Sequence, residues 1–113
     1  VIPEIMISAI TIGEIACGLG ILPVGSRRTQ LKERFERFVS LAFAQRVLAF
    51  DRAAARTYGE IMAPRREIGR PMSVPDGQIA AITRVNGLEL ATRNSRDFAD
   101  CGIDLIDPFL THP

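Results

Sequence analysis

The stretch IMISAITIGEIACGLGIL, residues 5 to 22, decides what kind of fold the chain can build. Residues 5 to 10 form a short isoleucine-rich run that suits a strand buried on both faces of a parallel sheet. Thr11 and Glu14 then stand at the Ser/Thr-x-x-Glu spacing of a capping box, which predicts a helix running to about Leu22 and ended by Pro23 and Gly25. A buried strand that passes directly into a helix is the first half of a strand-helix-strand unit, and the strands of such units lie parallel. The apolar region from Val1 is broken by Glu4 and Glu14 and has no basic flank before it. It therefore reads as neither a signal peptide nor a membrane span.

Downstream the alternation continues. From Ser26 to Ala44, Leu31, Phe35, Phe38 and Ala42 recur at helical spacing, while Lys32, Glu33, Glu36 and Arg37 occupy another face and could pair at i,i+4. VLAF at 47 to 50 reads as a strand and Asp51 as an N-cap; Ala54, Tyr58, Ile61 and Met62 give the following segment a helical period. The segment from Ala63 to Pro75, with Pro64, Gly69, Pro71 and Pro75, predicts a loop or a frayed helix end. Residues 76 to 86 are apolar on more than one side, as in a buried helix, and Gly87 ends them. LELAT at 88 to 92 and IDLI at 103 to 106 complete the strands, with a turn between. The expected fold is a single three-layer α/β domain, residues 1 to 113, around a central parallel sheet with right-handed crossovers.

Composition narrows the function. The 113 residues are 47% apolar, enough for one core, and 14 basic against 13 acidic residues leave a net charge of +1. Contact with nucleic acid would have to come from a local patch. Cys17 and Cys101 have neither metal-ligand nor redox spacing and are expected to be reduced structural thiols in a cytoplasmic protein, a disulfide being the lesser alternative. There is no Gly-rich phosphate loop and no nucleophilic Cys or Ser motif, which argues against a phosphatase-like enzyme. The lone histidine, His112, reads as tail and not as a catalytic base.

The acidic residues are more informative. Asp76, in SVPDGQIAAI, is the only charge between Arg70 and Arg84. Glu14 follows the first strand by one helical turn, and Asn94 with Asp97 follows LELAT. In open parallel sheets, functional residues gather beyond the carboxyl ends of the strands. Each residue also has an ordinary use. Glu14 can belong to the capping box, Asp76 can be a helix-terminal charge, and Asn94 and Asp97 can be turn residues. Together they supply the oxygen ligands that Mg²⁺ or Mn²⁺ prefers, and such a cluster could activate water against a phosphodiester.

The order of SAITIGEI, VLAFDRAAARTYGEI, PDGQIAAI and GLELATRNSRDF resembles the PIN domain, specifically the VapC/FitB type of toxin from bacterial toxin-antitoxin pairs. The resemblance runs from about Ile5 to Phe109. It implies a cytoplasmic, Mg²⁺- or Mn²⁺-dependent endoribonuclease that cleaves RNA, forms a homodimer, and is inhibited by an antitoxin whose own domain binds operator DNA. On this resemblance the family's second acid falls on Glu14 and its third on Asp76, while the fourth position falls on Asn94, with Asp97 inheriting the acidic role. Thr11 and Thr92 resemble small polar residues that orient ligands or water. Arg65, Arg66, Arg70 and Arg93 are the candidate phosphate contacts, since Arg engages phosphate oxygens bidentately.

The chain departs from the family in one respect. The family's first acid sits in a Leu-Asp-Thr-Asn type motif at the end of a first, central strand, and nothing before IMISAI matches it. The expectation is therefore a PIN-like domain that lacks its amino-terminal strand and is inactive by itself. The alternative is a catalytically impaired binding module acting in an antitoxin and operator-DNA complex.

Overall fold

The computed structural model describes residues 5–107; His112 and Phe109 lie outside them. These residues divide into two compact units, with the boundary in the chain between Ala49 and Phe50. The first contains β1 (Ile7–Ser8), α1 (Ala9–Gly20), α2 (Ser26–Ala42) and β2 (Val47–Leu48). The second contains α3 (Arg52–Glu67), α4 (Val74–Val85), β3 (Leu90–Ala91) and β4 (Leu105–Ile106). The strands are parallel, as expected, and among the described residues they pair as β1 with β2 and as β3 with β4.

In the first unit β1 pairs with β2, Ile7 opposite Val47 and Ser8 opposite Leu48. The opening stretch behaves differently from its capping-box reading. The strand is only two residues long and the helix begins at Ala9, with Ser8 as N-cap accepting a hydrogen bond from the Thr11 backbone N–H at 2.9 Å. Ser8 wins because its extended backbone at the strand end already has N-cap geometry, so Thr11 falls in the first turn and Glu14 beyond it. In α2 the expected period is present, with Leu31 and Phe35 half-buried, yet Phe38 is 56% exposed. The i,i+4 ion pairs expected among Lys32, Glu33, Glu36 and Arg37 are not formed among the described residues.

The second unit holds the buried core, where α3 packs on α4. Ala54, Ile61 and Met62 of α3 are buried as their spacing predicts, and Tyr58 meets Phe50 edge-on at 5.9 Å. Asp51 caps α3, its Oδ1 accepting from the Ala54 N–H at 2.9 Å. The helix does not fray at Ala63. It continues through Pro64 to Glu67, because Ile61 and Met62 are anchored in the core and Arg65 is tied to Ala99. In α4, Ala80, Ala81 and Ile82 are all but inaccessible, so the all-round apolar pattern does mark a helix covered on several sides. Gly87, at φ 63°, closes it, and the Leu88 N–H reaches back to the Thr83 carbonyl at 3.1 Å.

Close approach of α3 and α4 depends on Gly77. A Cβ there would lie 2.5 Å from Met62 Sδ and 3.0 Å from Tyr58 Cε1. Gly77→Ala is therefore expected to destabilise the protein by about 1–3 kcal/mol through overpacking, read from the midpoint of urea unfolding. An unchanged midpoint would mean that the two helices can separate freely.

Candidate active site

The carboxylates are placed by caps. Ser73 caps α4, its hydroxyl accepting from the Asp76 N–H at 3.3 Å, which sets Asp76 in the first helical turn, half-buried. A negative charge there is favoured by the unpaired N–H groups of the helix start. Ser8 does the same for α1 and leaves Glu14 exposed on the second turn with no capping function. The Ser8 and Thr11 hydroxyls are 2.8 Å apart, so Thr11 is oriented by its neighbour. The sequence reading missed both serines as caps, although Ser-x-x-Asp at 73 to 76 carried the signal.

Beyond the carboxyl end of β3 the chain makes a tight polar turn. Thr92 Oγ1 accepts from the Asn94 N–H at 3.0 Å, and Asn94 Nδ2 donates to Asp97 Oδ2 at 2.6 Å. One oxygen of Asp97 is thus used by the amide, while Oδ1 and the Asn94 side-chain oxygen remain as acceptors. The structure brings these two residues together, and Phe98, buried directly after them, anchors the turn in the core. Glu14 belongs to the first unit; Asp76, Asn94 and Asp97 belong to the second. Among the described residues no three His, Cys, Asp or Glu side chains converge as a metal-holding group. The donors are all oxygen and fit a hard divalent cation in kind.

The candidate phosphate contacts differ from one another. Arg66 and Arg70 are exposed, as is Arg93. Arg65 is half-buried and holds the fold together: its Nε donates to the Arg70 carbonyl at 2.7 Å and its Nη1 to the Ala99 carbonyl at 2.8 Å. It thereby ties the end of α3 to the segments leading into Asp76 and out of Asp97. Arg65→Gln is expected to lower stability by about 1–2 kcal/mol, because the part-buried Ala99 carbonyl loses a charged donor, whereas the exposed Arg70 carbonyl can turn to water. Thermal unfolding should show this, and an unaltered melting temperature would remove the bracing role.

Cys17 and Cys101 are both free thiols. Burial pushes the Cys101 thiol above its usual pKa, against the opposing pull of the Arg65 guanidinium, so it stays protonated at neutral pH. A 310 Å³ cavity in the second unit, lined by Ile61, Pro64, Arg65, Arg84, Asp100 and Cys101 among others, contains none of the candidate acids. Among the described residues no helix is long and apolar enough to cross a membrane.

Parallel strands with helices between them define an α/β domain. The PIN domain matches residues 1–103. The chain is 40% identical over 108 residues to the VapC ribonuclease Y4jK of Sinorhizobium fredii, covering 96% of this chain and 77% of that protein. It is 30% identical over 109 residues to the toxin FitB of Neisseria gonorrhoeae, covering 96% and 78%. Its fold superposes on the structure of FitAB bound to an IR36 DNA fragment with a TM-score of 0.88, at 29% identity, covering 97% and 77%. The chain belongs to the PIN-domain family, among the ribonuclease toxins of the VapC/FitB type.

Proposed function

We propose that the protein is an endoribonuclease toxin dependent on Mg²⁺ or Mn²⁺, with Glu14, Asp76 and Asp97 as its catalytic acids. Glu14, Asp76, Asn94 and Asp97 would hold the cation, which when bound would acidify a water and offset charge on the phosphodiester. Asn94 positions one oxygen of Asp97 and leaves the other open. Thr92 fixes the backbone of Asn94, and Thr11 orients polar groups near Glu14. Arg66, Arg70 and Arg93 contact RNA phosphates, with Arg65 contributing whatever its backbone bonds leave free. The observation that carries this reading is that Ser8, Asp51 and Ser73 take the capping work. The ordinary explanation of Glu14 as a cap is thereby removed, and Asp76 is left as a half-buried carboxylate beside a cap that is already filled.

A first strand bearing a further acid, supplied from outside the described residues, belongs to the proposal. The edge of β1 away from β2 and the edge of β3 away from β4 have no strand partner among the described residues. Such edges pair readily with an added strand. Exposed Ile15, Ile21 and Leu41 support a contact with antitoxin or a second copy, and operator DNA would be reached through the antitoxin. The second reading is a PIN-like binding module without catalysis, acting in an antitoxin and operator-DNA complex.

The two separate in a cleavage assay on a form carrying the acidic strand. Glu14→Gln and Asp97→Asn should each lower metal-dependent RNA cleavage by about 10- to 100-fold or more, since even an outer partner of a metal ligand has that effect. Absence of cleavage in the unsubstituted protein would favour the binding module.

A further inference from the structure

The exposed face of α2 has no part in the site described above. The helix carries Arg27, Arg28, Lys32, Arg34 and Arg37 against Glu33 and Glu36, a net +3, whereas the whole chain is only +1. The positive charge is therefore local, the condition the overall composition sets for a nucleic-acid contact. At 3.6 residues per turn, Arg27, Arg34 and Arg37 fall within an arc of about 80° and extend over about 15 Å of helix. All three are exposed. They form no ion pair with Glu33 or Glu36 among the described residues, whereas Arg28 is turned away to the Gly20 carbonyl at 3.4 Å.

A second observation makes the surface more than a solvated face. Phe38 lies one turn beyond Arg34, on the same side as Arg27, and 56% of it is exposed. Its ring makes an edge-to-face contact with Phe43 at 5.6 Å and still leaves more than half of its surface open to solvent. Arginines that follow a phosphate backbone beside an aromatic platform for bases are how proteins hold single-stranded nucleic acid without reading its sequence. A duplex would keep its bases stacked inside and offer Phe38 nothing.

We propose that Arg27, Arg34, Arg37 and Phe38 of α2 form a binding surface for single-stranded RNA, the arginines engaging phosphates and Phe38 stacking on a base. The proposal rests on the ribonuclease reading for its choice of RNA. It adds a contact that Asp76, Asn94 and Asp97 do not make, one that would retain substrate independently of the chemistry.

The test is equilibrium binding of a labelled single-stranded RNA oligonucleotide to the 113-residue chain in EDTA, where cleavage cannot interfere, over a range of salt concentrations. Each phosphate contact on a single strand contributes about 0.7 to the slope of log affinity against log salt. The triple variant R27Q/R34Q/R37Q should therefore have a slope shallower by about 2. Between 50 and 200 mM salt the unsubstituted chain should then lose about 20-fold more affinity than the variant. R27K/R34K/R37K should restore the slope, since it keeps the charges. Phe38→Leu should weaken binding about fivefold or more and leave the slope alone, because stacking releases no counterions. Lys32→Gln, on another face, should leave both unchanged. Equal affinity and slope for the unsubstituted chain and the glutamine variant would overturn the proposal. So would no binding of RNA at all, or a loss confined to self-association, which would make the face a contact between copies. Because no metal is present, loss of the nuclease reading through absent cleavage would leave this result standing, and the reverse also holds.

Discussion

Asp76→Asn is expected to reduce metal-dependent RNA cleavage by at least about a hundredfold while leaving the protein folded, because loss of a direct ligand should exceed the 10- to 100-fold typical of its outer partners. The substitution changes charge and leaves volume alone. Ser73 still caps α4 through the backbone N–H of residue 76, which the variant retains. What folding loses is the favourable placement of a negative charge in the first turn, about 0.3–1 kcal/mol. For a domain of this size that is a shift of about 1–8 °C in melting temperature. Cleavage and thermal unfolding should be measured on the same preparation, from a form of the protein that cleaves RNA. Retained cleavage would remove Asp76 from the metal site; a large stability loss with proportionate loss of cleavage would return it to a purely structural role.

Ile82→Ala should give the opposite balance. Ile82 is 1% exposed in the middle of α4, flanked by Ala80 and Ala81, which are too small to move into the space left behind. Truncating a buried isoleucine costs about 2–5 kcal/mol, from lost transfer free energy and from the cavity that remains. Against a total stability of about 5–15 kcal/mol, this can leave much of the population unfolded at physiological temperature. At low temperature, where the variant is folded, cleavage per folded molecule should match the unsubstituted protein. A variant that kept its stability would show that α4 is not the centre of the core.

The sequence made the helices legible because their signals are local. Ala54, Ile61 and Met62 repeat at the period of a packed helix, Asp51 is a cap by residue type and position, and Gly87 alone can take the left-handed turn that ends α4. Boundaries were less legible where two caps compete. Thr11-x-x-Glu14 and Ser8-x-x-Thr11 are both reasonable helix starts, and pairing of Ile7 with Val47 places Ser8 at the strand end. That pairing is forty residues long-range and leaves no trace in the local pattern. Pro64 was misleading for the same reason, since its helix is held by Arg65 reaching Ala99, thirty-four residues away. The sheet was least legible, because alternating strands and helices indicate parallel strands without saying how many meet. For the site, candidate residues could be named from the sequence, and the structure places two of them, Asn94 and Asp97, in hydrogen-bond contact. Arg65 could not be told from Arg66 by sequence, as burial separates the brace from the exposed cation.

The central claim, that these acids make a metal-dependent ribonuclease completed by a strand outside the described residues, is tested most directly by cleavage of a single-stranded RNA with Mn²⁺ and with EDTA. Two forms should be compared: the 113-residue chain alone, and the same chain joined to an amino-terminal strand carrying the Leu-Asp-Thr-Asn motif. A hard-cation site gains affinity with each carboxylate added. The joined form is expected to cleave with Mn²⁺, to stop in EDTA and to recover when Mn²⁺ is restored, while the 113-residue chain alone binds the ion weakly and does not cleave. Cleavage by the joined form that persists in EDTA, or tight Mn²⁺ binding and full cleavage by the 113-residue chain alone, would contradict the account.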